Sequence, residues 1–423
     1  MGTVRWTGNA VAVAQVDTIT VGGTVEVGDK FITTINGKAI SVTCTTTNTT
    51  TTAAEIATAL AASTIAEFKE ATWVAAAATI VATAVVAGRP FTVTATTTEN
   101  NDGAADDQTY VRAATVVNAG PNVWSTATNW NTGVVPAAAD DIYIENSRID
   151  ILYDLDQSGI GTFLTLNIAA NYTGKIGLPA YNSGGYAEYR ADYLIAKVTT
   201  QRYGYGPGAG SPRLKINNST IQTTLTVSGS AASADAGLEA IQWKGTHASN
   251  VVTISKGSFG VAVVPGETAT IATLNVGWIS NQSGDSQVRC TSGVTLTTIN
   301  QDGGSLEINS NSVTLTKTAG TLTIGGSATV TTLHERGGTT YYNSSGTITT
   351  LNVSAGGTVT TQQRNVAKTI TNTNLYSGSA LLDPSKTITF TNAAAIAGGA
   401  GLKPIDADGV LIDLGTNFSI QRS

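Results

Sequence analysis

Between residues 297 and 358 one apolar–polar figure returns four times. TTINQDGGS (297–305), TLTKTAGT (314–321), TTLHERGGT (331–339) and TTLNVSAGGT (349–358) align on Ile299, Leu315, Leu333 and Leu351, anchors 16, 18 and 18 residues apart. Each copy has a Thr-rich alternating stretch around an inward aliphatic, a polar corner, a pair of small residues and a second stretch. ATLNVG, anchored at Leu274, reads as an earlier copy, and NLYSGSA, anchored at Leu375, as a later one. The period is too short for a propeller blade of about 40–45 residues or an immunoglobulin-like unit. It fits one coil of a parallel β-helix, with aliphatics stacked inside and Thr, Ser and Asn ladders outside. About eight to ten coils are expected between Leu214 and Leu414, a rod on the order of 40–50 Å at roughly 4.8 Å per coil.

The pattern upstream is different. FITTINGKAISVTC holds Asn36-Gly37 between two alternating runs, the signature of a two-residue hairpin. That turn pairs Phe31 with Val42, Thr33 with Ile40 and Ile35 with Lys38, and puts Phe31, Ile35, Ile40, Val42 and Cys44 on one face. Thr52 and Glu55 read as a capping box opening a helix whose Ile56 and Leu60 cover that face. Strands are expected around Thr79–Val86 and Phe91–Thr97, and ENNDGAADDQ (99–108) reads as a linker. The chain thus divides into an N-terminal α+β attachment module (1–110), a Trp/Tyr-rich capping and linking region (111–213) and the β-helix (214–423). The fold class is mainly β.

In the middle region, NVWSTATNWNTGVVPAAADD (122–141) precedes the repeats. A solenoid end exposes apolar interior and unpaired backbone, so it needs a cap. Trp124 and Trp130 are bulky enough to serve, with Asn129 and Gly133 in the turns and Pro136 blocking strand continuation; carbohydrate stacking on either ring and plain core packing are the alternatives. Further on, Tyr181, Tyr186, Tyr189, Arg190, Tyr193, Arg202, Tyr203 and Tyr205 form an aromatic and basic cluster. It reads as a partly buried loop packed on the rod, or as a subunit interface or glycan contact, because Tyr and Arg bring large area with a polar tip.

Composition narrows the function classes. Only 12% of residues are charged and the net charge is −6, leaving no basic face for nucleic acid or anionic lipid. No apolar run is long enough to cross a membrane as a helix. The first residues carry one arginine and no apolar segment of a secretory signal. Cys44 and Cys290 read as small buried hydrophobes. No cofactor is expected and no catalytic set emerges. His334 falls in the slot held by Asn300, Thr316 and Asn352 in the other copies, a polar corner position, and His247 has no nucleophile pattern around it. Asp150, Asp154 and Asp156 are candidates for a cation, while the pair Asp140/Asp141 reads as a cap on the strand that follows the Pro turn and Asp406/Asp408 as a tight turn.

The segment DTITVGGTVEVGDKFITTINGKAISVT with AAEIATALAAS resembles a small module of tailed-bacteriophage structural proteins. GETATIATLNVG, TTLHERGGTTYYNSSGTITTLNVSAGGTVT and TITFTN resemble the β-helical parts of surface fibres, tailspike-like appendages and capsid-decorating proteins. WSTATNWNTGVVPAAADDIYI is similar to a motif that precedes β-helices in bacterial surface proteins. The resemblance implies a non-enzymatic protein of the virion surface, assembled in the host cytoplasm. Its partners would be major capsid or tail proteins, and it would form a homo-oligomer, with a trimer usual for such appendages. A host-surface glycan is a candidate ligand. The competing class is an extracellular or cell-surface protein, either a bacterial adhesin or a glycan-binding or depolymerising β-helix.

Overall fold

The computed structural model describes residues 2–100, 107–178, 193–195, 197–204, 214–230, 239–277, 286–354, 356–376, 378–384 and 386–396. They form a mainly β protein with a single α-helix among the described residues, and two separate hydrophobic cores.

The smaller core lies between two antiparallel sheets. One contains Ala71–Ala76, Thr79–Ala84, Val16–Gly23 and Gln108–Val116 in that order; the other contains Lys38–Thr43, Lys30–Ile35 and Val93–Thr98. Asn36 and Gly37 both have positive φ, as a two-residue hairpin requires, and Phe31 pairs with Val42, Thr33 with Ile40 and Ile35 with Lys38. Phe31 meets Tyr110 edge-to-face at 5.4 Å, and the Thr33 and Tyr110 hydroxyls share a 2.7 Å hydrogen bond that ties the sheets together. Burial pushes the Tyr110 phenol up to about 12. The helix Thr49–Ala61 buries Ile56 and Leu60 against this core. Its N-cap is Asn48, whose Oδ1 accepts from the Thr51 N–H at 3.0 Å, so the helix starts earlier than the Thr52 capping box predicts. Thr52 is buried inside the first turn, and Glu55 instead accepts from the Thr45 N–H at 3.1 Å.

The larger core fills a long parallel sheet of many strands, arranged as two ladders. One ladder runs through Asp141–Ile144, Thr162–Ile168, Lys197–Gly204, Thr224–Gly229, Val251–Ile254 and Ala269–Val276. The other runs through Tyr193–Ile195, Leu214–Asn217, Ile241–Lys244, Gly257–Val261 and Ser286–Cys290. The long strands Val294–Ile308 and Ser312–Ile324 carry both ladders, the first half of each extending one and the second half the other. Beyond them the ladders continue separately, one to Ala380–Leu382 and the other through Lys368–Leu375 to Ile388–Phe390 and Ala395–Ile396.

Parallel in-register pairing stacks like positions into columns. Leu274, Ile299, Leu315, Leu333 and Leu351 pair in succession, each fully buried. The column extends back through Val252, Leu225, Gln201, Leu166 and Ile142 to Val4. Parallel pairing therefore begins far ahead of Leu214. The strand Thr3–Arg5 lies outside the N-terminal core and pairs instead with Asp141–Ile144.

The later anchor shifts. Leu351 pairs with Thr373, while Leu375 pairs with Val353 in the neighbouring inward column. Leu375 is buried, but not as the continuation of the Leu351 column. Fully burying one such aliphatic is worth about 1.5–3 kcal/mol, and column stacking repeats that gain on every strand.

Candidate functional site

At the first end of the ladder the Trp-rich stretch meets the chain's opening residues. Trp130 contacts Trp6 edge-to-face at 5.1 Å and Trp124 edge-to-face at 4.8 Å. Asn129 is fully buried and holds the turn together. Its Nδ2 donates to the carbonyls of Gly120 (2.7 Å) and Val123 (2.8 Å), and its Oδ1 accepts from the Ala10 N–H at 2.9 Å. Trp130 Nε1 donates to the Trp124 carbonyl at 2.8 Å. Gly133 has φ +69° and supplies the left-handed turn residue, and Pro136 is buried nearby. Each of the three tryptophans is 3% exposed or less, so none offers a face on which a sugar ring could stack. Trp6 carries no local pattern that marks it; its membership follows from the long-range pairing of the first strand.

The predicted aromatic cluster falls largely elsewhere. Tyr181, Tyr186, Tyr189, Arg190 and Tyr205 lie outside the described residues. Of the rest, Tyr193 belongs to Tyr193–Ile195, and Arg202 and Tyr203 to Lys197–Gly204. Arg202 is exposed.

The three candidate cation ligands do not converge. Asp150 accepts from the Lys175 N–H at 2.7 Å, Asp154 from the Ser125 hydroxyl at 2.5 Å, and Asp156 from the Ser158 N–H at 3.0 Å. Asp150 and Asp154 thus each bond a distant segment, and Asp156 bonds its own turn. Asp140 likewise caps backbone, accepting from the Gly2 and Ala137 N–H groups at 2.7 and 2.9 Å. Asp406 and Asp408 are outside the described residues.

His334 stands on an outward polar column, between Thr316 and Asn352. Its Nδ1 is 3.3 Å from Asn352 Nδ2, and the same column is bonded from Asn374 to Asn352 (2.8 Å) and from Asn300 to Asn275 (2.9 Å). His247 Nδ1 accepts from the Ser249 N–H at 3.1 Å. Cys44 and Cys290 are both free and buried, and burial pushes the Cys290 thiol up to about 12.

The most unusual chemistry is internal, one residue from His334. Gln301, Lys317 and Glu335 follow one another in an inward column and are all fully buried. Lys317 Nζ donates to Glu335 Oε1 at 2.8 Å and to the Gly337 carbonyl at 2.6 Å, and the Thr340 hydroxyl donates to Glu335 Oε2. Burial lowers the Lys317 ammonium and raises the Glu335 carboxyl, and the contact between them opposes both shifts. Sequence reasoning missed this pair. Its one signal was a Lys and a Glu in the same slot of consecutive repeats.

A hollow lined by Asn217, Ser219, Lys244, Thr246, Glu267 and Thr268 is bridged by a 2.7 Å Lys244–Glu267 ion pair. No helix among the described residues is long and apolar enough to cross a membrane. Comparison with protein-family models, curated proteins and solved structures finds no match to this chain.

Proposed function

We propose that this chain is a non-enzymatic structural protein of a bacteriophage virion's outer surface, as capsid decoration or fibre, with a parallel β-helix as its rigid body. The observation that carries this reading is the unbroken inward column from Val4 to Leu351. It runs through successive parallel strands separated by polar outward positions. A body of this kind works by shape and resistance to unfolding. Its backbone groups are consumed in the ladders, and its side chains are stacked rather than gathered around a cleft.

In this reading Trp6, Trp124 and Trp130 close the first end of the β-helix, hiding its interior and blocking end-to-end association. The N-terminal module supplies attachment. Val11, Val13, Val86, Val116 and Val117 are exposed where that module joins the ladder, around the Val13–Ala119 bridge and the Gly88 N–H to Val13 carbonyl bond. Exposed valines at a junction suit burial against a capsid or tail subunit better than contact with water.

The test is mass spectrometry of intact virions from the source, with copy number set against the major capsid protein. Hundreds of copies mean capsid decoration. A handful, in multiples of three or six, means a tail or vertex appendage. A protein absent from virions and recovered from the medium or the cell surface would overturn the virion reading and favour an adhesin.

A further inference from the structure

Glu26, Asp29 and Glu99 bring one carboxylate oxygen each to within 4.8 Å of one another, and the backbone dictates the meeting. Lys30 pairs with Thr98 across the antiparallel strands Lys30–Ile35 and Val93–Thr98, so the residue before one strand faces the residue after the other. Glu26 is drawn in by a turn. The Asp29 N–H donates to the Glu26 carbonyl at 3.1 Å, and Asp29 Oδ2 accepts from the Glu26 N–H at 2.7 Å. Asn100 closes over the turn, its Nδ2 donating to the Val27 carbonyl at 2.8 Å. Only glycine fits beneath it: Gly28 has φ +104°, and a Cβ there would stand 2.2 Å from Asn100 Nδ2.

A second observation points to something missing between these groups. Asp29 is fully buried, and its Oδ1 accepts no hydrogen bond. None of the ion pairs among the described residues involves Glu26, Asp29 or Glu99. A buried carboxylate flanked by two more, with no ion-pair partner among the described residues, is costly to fold around. The Asn100 N–H draws the Glu99 carboxyl down, yet desolvation, the Asp29 charge, a direct side-chain contact with Asp29 and the Glu26 charge carry it above the ordinary value.

We propose that Glu26, Asp29 and Glu99 form a binding site for a hard divalent cation of the calcium class. The side chains offer only oxygen. The nearest soft atom is withheld, since Cys44 Sγ donates to the Glu26 carbonyl at 2.7 Å and burial keeps its thiol protonated, which disfavours zinc. Ca2+ takes 6–8 oxygen ligands at about 2.3–2.6 Å in flexible geometry, so oxygens separated by up to roughly 5 Å can share one ion. Mg2+ demands an octahedron at about 2.0–2.1 Å and gives up its water reluctantly. A bound ion would pin the Glu26–Asp29 turn to the end of the strand Val93–Thr98. The site does not depend on the virion reading.

The experiment is calorimetric titration of the full chain, freed of metal with EGTA, with CaCl2, alongside thermal melts in EGTA and in calcium. One Ca2+ per chain is expected, with a Kd of roughly 10⁻⁵ to 10⁻³ M, and a higher Tm in calcium than in EGTA. Glu99→Gln and Glu26→Gln, both at partly exposed positions, should each weaken binding at least tenfold. In EGTA both should melt at or above the wild-type temperature, because a repelling charge has gone. Magnesium at equal concentration should raise Tm less than calcium. Wild-type protein that takes up no calcium at about 10 mM, ten times the weakest Kd expected, and melts identically in EGTA overturns the proposal. So does calcium binding left intact in both variants.

Discussion

A charged pair with no access to water is stable only while both partners are present. Lys317 and Glu335 are fully buried and bonded to each other at 2.8 Å, with Gln301 beneath them bonding to the Thr321 carbonyl at 2.8 Å. Removing one partner leaves a lone buried charge, so Glu335→Gln should destabilise the protein by about 3–5 kcal/mol in urea melts, whereas replacing both by Met and Leu should be close to neutral. The single variant also acquires a pH dependence of known sign. Burial lowers the Lys317 pKa, so the unfolded chain keeps its proton to higher pH than the folded one. Stability of Glu335→Gln should therefore rise with pH from that lowered value to about 10.4, where unfolded lysine titrates, and level off above it. A decline over that window would mean that Lys317 is not the group left stranded. Sequence reading made His334 a polar corner position, because Asn and Thr hold its slot in other repeats; it lies inside the strand Val330–Glu335, on an outward column. It could not place Glu335 inward, because a buried carboxylate looks like any polar corner until its lysine is brought 2.8 Å away.

Whole strands are positioned by their corners, and the corners by glycine. Gly304, Gly320 and Gly338 have φ of +63°, +80° and +78°, and they stack. A Cβ on Gly320 would stand 2.3 Å from the Gly304 carbonyl oxygen, and one on Gly338 2.3 Å from that of Gly320. Gly338→Ala meets both the left-handed backbone and the close carbonyl of Gly320. A loss of at least about 1–3 kcal/mol is expected, against little change for Gly356→Ala beyond its φ strain, since no atom lies within 4 Å there. In the N-terminal module, Asn48→Ala should cost about 1 kcal/mol as a lost cap. Chemical denaturation of the three variants against wild type checks these values. The small-residue pairs were visible in the repeat, and so was the hairpin at Asn36-Gly37, because both depend on local backbone demands. The Leu375 anchor misled for the opposite reason. The spacing from Leu351 to its partner Thr373 is longer than in the preceding copies, and the aligned position is polar, so the nearest aliphatic belonged to the next column.

At the scale of the whole molecule, the ladder begins with a strand from the other end of an inserted module. Thr3–Arg5 pairs with Asp141–Ile144, and the module's core from Ile19 to Tyr110 lies between them in sequence. No periodicity in TVRWTG could reveal this, because pairing across so long a separation is settled by what the two edges leave exposed, not by local preference. The pairing covers the open side of Asp141–Ile144, and it delivers Trp6 onto Trp130. Trp6→Ala should cost about 3–5 kcal/mol through the lost ring contact and cavity, while leaving the edge paired. Deleting residues 2–10 removes both protections, leaving an unpaired parallel edge above an apolar interior, the template on which strands of other chains add. Light scattering should then show concentration-dependent association of the deletion variant, and Trp6→Ala should stay at the wild-type size although it melts lower. If the two variants behave alike, the first strand contributes packing only, and protection of the end rests with Trp124 and Trp130.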